Sequence, residues 1–384
     1  MTNATIDRSP GAHRASGRRL VRTWVLTGIL AIGALALALA ISAYFGAAFG
    51  VQAALLGLLV AVIPLALVIP TFIWLDRFEA EPTRYLVAAF LWGALAAAVI
   101  SATINTSAMA VIQATTSQDD ALVVTAVLVA PFVEEAAKGA FVLFVWWFLR
   151  REFDGLIDGM VYAGVTAAGF AFTENIQYLA QAWTEGGREL FTATLIGRGI
   201  MSPFAHPMFT VMTGIGIGIA AHSRSMLTRI GAPVLGYLVA VLTHALWNLA
   251  ATTSGEGMFA VYVLIEFPIF IAWVALVLWA RRREGRLIGM FLRPYADAGW
   301  LAPAEVWMLS HMGRRREARA WARANTGRAG LASMRSFQDA ASDLALLRRR
   351  MLAVTPDAAA LVEERDLLDQ LVRTRRVFVG REIP

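Results

Sequence analysis

Three runs of the chain, Trp24 to Phe45, Val51 to Leu75 and Tyr85 to Ile112, contain no Asp, Glu, Lys, Arg or His. A bilayer core about 30 Å thick is crossed by roughly 20 helical residues at 1.5 Å each, so every one of these runs is long enough to span it. In lipid the backbone must satisfy its own hydrogen bonds, which points to helices. Five more long apolar segments follow, near Ala121 to Leu149, Gly155 to Trp183, Leu190 to Ala221, Ile230 to Ala251 and Met258 to Ala280, giving eight expected spans. Composition agrees: 58% of the 384 residues are hydrophobic and 16% charged, where soluble domains carry about 25% charged residues. A water-soluble enzyme is excluded. Cysteine is absent, which removes disulfides, Cys-ligated zinc, iron–sulfur clusters and thiolate nucleophiles together.

The expected fold is therefore an all-α polytopic membrane protein with about eight transmembrane helices and a helical cytoplasmic C-terminal tail. Its expected organisation is a basic N-terminal segment over 1–23, an eight-span domain over 24–280 and a basic tail over 281–384. The formal net charge of +6 sits in that tail, where 20 Lys+Arg face 12 Asp+Glu; the other 280 residues hold 14 against 16. Leu344, Leu347 and Met351, then Leu361, Leu367, Leu368 and Leu371, recur at helical spacing in it. Its arginine runs, 314 to 316 and 348 to 350, suit a solvated surface or anionic lipid headgroups, and no nucleic acid is expected.

Positively charged loops stay cytoplasmic. With the amino terminus inside, the inner segments hold Arg8, Arg14, Arg18, Arg19 and Arg22, then Arg77 and Arg84, Arg150 and Arg151, Arg224 and Arg229, and Arg281 to Arg283, while the outer loops hold Arg188. Both termini are expected inside, with the protein multi-pass in a bacterial cytoplasmic membrane. The first apolar run is 22 residues long, beyond the usual signal-peptide core of about 7 to 15, and reads as a retained anchor.

Spans four to seven differ in kind. They contain Glu134, Glu135 and Lys138, then Asp158 and Glu174, then Arg198 and His206, then His244. A charged residue at a helix centre costs about 2.5–3.5 kcal/mol on insertion scales, so such residues face the bundle interior and mark a functional site by default. Glu134 and Lys138 lie at i,i+4 on one face, while Glu135 points about 100° away. One carboxylate can thus face a cavity while the other is held by hydrogen bonds; the spacing does not decide which. Lys138 is the one lysine of the chain. Phe170, Glu174 and Tyr178 share a face, His244 and Asn248 form a second i,i+4 pair, and Pro207 suggests a helix break near His206.

Hydrolysis of a peptide bond in a membrane needs a water, a base and donors for the oxyanion. Glu can be the base, with imidazole or carboxamide as donors. Alternatively two His and a Glu supply the three ligands of a catalytic zinc, with another Glu as base. Both schemes stay open on these residues. No HExxH helix, Gly-x-Gly-Asp or Gly-x-Ser-x-Gly motif is present, and the run Gly214-Ile-Gly216-Ile-Gly218 suits close helix contact, as do Gly155 and Gly159. An ion-coupled transporter or a non-catalytic membrane scaffold are the rival classes, although a transporter would show paired repeats with broken helices in both halves.

Over roughly residues 70 to 250 the chain resembles the PrsW family of intramembrane proteases, within the broader group that includes CAAX prenyl proteases. The likeness rests on Asp76-Arg-Phe-Glu-Ala-Glu81-Pro82, Glu134-Glu135-Ala-Ala-Lys138, Phe170-Ala-Phe-Thr-Glu174-Asn175, His206 with Thr210, and His244 with Asn248. The resemblance implies water activation by Glu134 and Glu135, with Lys138 and Asn248 in the catalytic set. It implies Glu174, His206 and His244 as metal ligands or oxyanion donors, the metal being a divalent cation, zinc first, with a metal-free glutamate mechanism as the alternative. The implied substrate is a single-span membrane protein such as an anti-sigma factor.

Overall fold

The computed structural model describes residues 10–149, 153, 155–221, 223–252, 260–353 and 358–379, with side chains from residue 28 on. The arginines used for orientation at positions 8 to 22 and at 150 and 151 lie outside the described side chains. Among the described residues the chain is all-α, without strands.

Two long apolar helices come first, α1 (Pro10–Phe49) and α2 (Val51–Leu75), joined at Gly50, whose φ of 84° needs a residue without a Cβ. Next, α3 (Thr83–Leu91) runs through a π-type turn, Trp92–Ala97, into α4 (Ala98–Gln113). Similarly α5 (Gln118–Val124), capped by Ser117, passes through a second π-type turn, Thr125–Val129, into α6 (Ala130–Phe148), with Pro131 in its first turn. α7 (Leu156–Thr194) breaks at Gly186–Gly187 and is followed by a third wide turn, Leu195–Met201. α8 (Ala205–Ala221) and α9 (Met226–Thr252) complete the site-bearing bundle. The break expected at Pro207 lies just before it, over Ser202 to Phe204, and the proline itself sits in the first turn of α8, where its missing N–H costs little.

Among the described residues six stretches are long and apolar enough to cross a membrane: Gly28–Phe49, Val51–Leu75, Thr83–Gln113, Leu156–Ala221, Met226–Thr252 and Tyr262–Asp297. The difference from eight has two physical sources. Glu134, Glu135 and Lys138 take the fourth expected span out of the charge-poor class, and the fifth and sixth fall in one 66-residue run. That run is the centre of the bundle, with 72% of its apolar window buried against 6% for the first helix. α7 packs on α2, α3, α6 and α8, and α8 packs on α9. α7 and α8 cross closely: a Cβ on Gly159 would run into the carbonyl of Gly214, and one on Gly214 into the carbonyl of Gly159. Large apolar side chains such as Leu30, Leu59, Val111 and Leu242 stay exposed on the outside of the bundle, as lipid-facing residues do.

A second core belongs to the tail. α10 (Phe267–Asp297), α11 (Pro303–Leu309), α12 (Met312–Ala353, broken at Thr326–Gly327) and α13 (Ala358–Val379) pack around Leu292, Phe337, Leu344 and Leu371. Phe78, from the loop between α2 and α3, is part of this cluster, so the tail is seated on the membrane domain through that loop. In the same loop Asp76 accepts a 2.8 Å hydrogen bond from the Glu81 backbone; burial pushes its carboxyl up to about 8, against the pull of that bond.

Candidate active site

α6 supplies the two adjacent glutamates and the lysine. Its π-type preceding turn and Pro131 set the helix start, so that all three side chains point inward: Glu134, Glu135 and Lys138 are buried. The two carboxylates have opposite surroundings. Glu135 is saturated, its Oε1 taking Lys138 Nζ at 2.6 Å and lying 2.9 Å from His244 Nδ1, its Oε2 taking the Thr210 hydroxyl at 2.8 Å. Among the described residues Glu134 has one hydrogen bond, from Asn105 Nδ2 to Oε1 at 3.2 Å, and its Oε2 is buried with no hydrogen-bond partner. Lys138 thus bonds its i,i+3 neighbour rather than Glu134, which stands 4.0 Å away.

His206 and His244 meet with their rings 5.1 Å apart and perpendicular. His244 is buried, stacked on Phe209, with Nδ1 against Glu135 and Nε2 3.7 Å from Glu134 Oε2, too long for a hydrogen bond. His206 is engaged on both sides, Nδ1 3.1 Å from Lys138 Nζ and Nε2 2.8 Å from Glu174 Oε2. Glu174, on α7, also accepts Arg198 Nη2 at 2.7 Å, while Arg198 Nε donates to Asn175 Oδ1 at 2.9 Å. The face shared by Phe170, Glu174 and Tyr178 is lined with cations: Lys138 Nζ lies 4.4 Å from the Phe170 ring centre and the Arg198 guanidinium 4.0 Å from that of Tyr178.

Of the residues expected at the site, Glu134, Glu135, Lys138, Glu174, His206 and His244 therefore form one connected cluster from four helices. Asn248 turns elsewhere, donating to the Ala126 carbonyl at 2.7 Å and tying α9 to the turn before α6. Glu134, His206 and His244 each offer a ligand atom within 4.8 Å of the others. Glu134 is the carboxylate grouped with both imidazoles, while Glu174, also expected as a ligand, contacts Arg198 and His206 Nε2. The trio suits a divalent cation. One ligand atom is an orphaned buried oxygen, and the His244 ring is anchored from behind by the Glu135 carboxylate, the arrangement that commonly orients a metal-binding imidazole.

One contributor escapes a scan for charge, and a second shows its charge but not its partners. Asn105 lies in a run without ionisable residues, where the carboxamide itself, costly in lipid, is the readable signal. Arg198 stands out as a half-buried charge in an apolar stretch, but its pairing with Glu174 and Asn175 depends on the turn that carries it.

A family profile described as PrsW family intramembrane metalloprotease matches residues 81–273. Protease PrsW of Geobacillus kaustophilus is 32% identical over 145 residues, 38% of this chain and 58% of that protein, so the match spans less than two thirds of its length. Protease PrsW of Oceanobacillus iheyensis is 27% identical over 237 residues, 61% of this chain and the whole of that protein. That of Clostridioides difficile is 26% identical over 216 residues, 56% and 85% of the two. No solved structure matches. With half the chain inside the family profile and the motif-bearing helices converging on one buried cluster, the chain belongs to the PrsW family of intramembrane metalloproteases.

Proposed function

We propose that the chain is a membrane-embedded endopeptidase that hydrolyses a peptide bond of a single-span membrane protein, an anti-sigma factor being the class the family resemblance implies. The observation that carries this reading is the asymmetry of the paired glutamates: one is saturated with donors, and the other turns a bare buried oxygen toward two imidazoles. Without a cation Glu134 Oε2 accepts the proton of the attacking water; with one bound, that oxygen is a ligand. Glu135 holds His244 and Lys138 in place, and Lys138 in turn holds His206. Glu174, neutralised by Arg198, steadies the other side of the His206 ring.

Glu134, His206 and His244 would hold a divalent cation, zinc by its acceptance of mixed nitrogen and oxygen donors. Such a cation supplies Lewis acidity to the scissile carbonyl and makes water more acidic. A metal-free form of the same reaction draws support from His206, whose two nitrogens are both in contact with other side chains; there Glu134 acts without the cation.

The N-terminus and tail are assigned to the cytoplasmic side of a bacterial cytoplasmic membrane by the distribution of arginines, with the basic tail facing anionic headgroups. The test is reconstitution of the full chain in vesicles with a panel of single-span peptides, mapping each cut by mass spectrometry with and without a chelator. A cut inside the apolar segment is expected, abolished by chelation and restored by zinc if the metal form holds. Absence of any cut, or cuts confined to the aqueous flanks, would sink the reading.

A further inference from the structure

The third apolar run has no charge, yet it reaches the site. On α4 the hydroxyls of Thr103 and Ser107 bond back to their own helix, to the carbonyls of Val99 and Thr103. Asn105 does otherwise, crossing to α6 to donate from Nδ2 to Glu134 Oε1. A carboxylate only accepts, so the amide is fixed with its nitrogen toward Glu134 and its Oδ1 turned away. That Oδ1 is buried without a hydrogen-bond partner, as is Glu134 Oε2. Among the described residues no other hydrogen bond reaches Glu134, with Lys138 and His244 standing 4.0 and 3.7 Å from Oε2.

Glu134 Oε2 has the attacking water or a cation to meet, but the Asn105 Oδ1 bonded beside it still calls for a donor, and a substrate brings one. A transmembrane peptide must unwind before its backbone can be cut, and unwinding strips its N–H groups of intrahelical partners that lipid cannot replace. We infer that Asn105 is a positioning residue for the peptidase reaction. Its Nδ2 fixes the Glu134 carboxylate, and its Oδ1 accepts an N–H of the unwound substrate beside the bond to be cut. This rests on the peptidase reading above.

The test compares wild type, Asn105→Leu and Asn105→Asp as full chains in vesicles, using a single-span reporter peptide. Asn105→Leu is expected to lower kcat about 10²-fold, the scale of a misplaced catalytic group, and to raise KM several-fold. Asn105→Asp keeps an acceptor oxygen but sets a second carboxyl against Glu134, where the two share one proton, so kcat falls while KM stays near the wild-type value. Thermal melting serves as the folding control, since Asn105→Leu removes the orphaned Oδ1 but also takes the donor from Glu134 Oε1; the kinetic split and the infrared band carry the test. Infrared spectra add a readout independent of cleavage: the carboxylate band that Glu134→Gln removes shifts in Asn105→Leu. Wild-type chain that cuts nothing while this band still shifts would defeat the peptidase reading and the substrate contact, leaving the hold on Glu134. An unshifted band, or Asn105→Leu with kcat and KM both at wild-type values, overturns the inference.

Discussion

Lys138 and Arg315 are both fully buried cations, and they are held in opposite ways. Lys138 sits among groups that can exchange protons: Glu135 at 2.6 Å, His206 at 3.1 Å and Glu134 at 4.0 Å. Arg315 is held by neutral acceptors, the Phe78 carbonyl at 3.1 Å, the Gln338 carbonyl at 2.7 Å and the Ser342 hydroxyl. Burial draws its guanidinium down to about 10, with Asp339 pulling the other way, so it stays charged at neutral pH. The fork joins both halves of the broken α12 to the loop between α2 and α3. Carbonyls add no reactivity, so Arg315 is a strut, whereas the lysine organises ionisable groups around a bare carboxylate oxygen. Burial of a charge marks both places; what the charge touches separates chemistry from architecture.

The sharpest way to break this comparison is to remove each cation. Lys138→Met leaves Glu135 without its ammonium in a buried network, a loss on the order of 3–5 kcal/mol, and should cost both thermal stability and peptide cleavage. Arg315→Met removes hydrogen bonds from neutral groups at about 1–3 kcal/mol in total effect, read as faster proteolysis of the tail with cleavage of a membrane peptide kept within a few-fold of wild type. Folded Arg315→Met protein that no longer cleaves would show that the strut transmits to the site. The smallest effect concerns Asp76, in the loop that this strut reaches through Phe78. Its carboxyl is near 8 when folded against 3.8 when unfolded, so between those values the folded chain binds the extra proton. Stability from this group is fully present below the unfolded value and is lost as pH rises to and through the folded value, so Asp76→Asn should flatten the melting temperature between about pH 4 and pH 8.

Much of this was readable because lipid makes polar residues expensive. Glu134, Glu135, Lys138, Glu174, His206 and His244 stand out in apolar runs by cost, and the tail helices by the spacing of Leu344, Leu347, Leu368 and Leu371. Which glutamate is free was not readable: a 100° offset on one helix is symmetrical until Thr210 and His244, from α8 and α9, choose Glu135. The same limit applies to Asn248, whose helical register with His244 is sound but whose amide is claimed by a carbonyl on another segment. The pairing of Glu174 with Arg198 was hidden too, because it depends on the wide turn after α7 that carries the arginine. Phe78 lies next to a membrane helix, and only the folded tail reveals that it completes the tail's core.

The most direct test of the central claim is the cleavage rate of a single-span peptide by Glu134→Gln, measured on protein whose melting temperature matches wild type. Replacing a bare oxygen by an isosteric amide should leave the fold intact and reduce the rate by about 10²-fold or more. Folded Glu134→Gln protein that cuts at the wild-type rate would contradict the account.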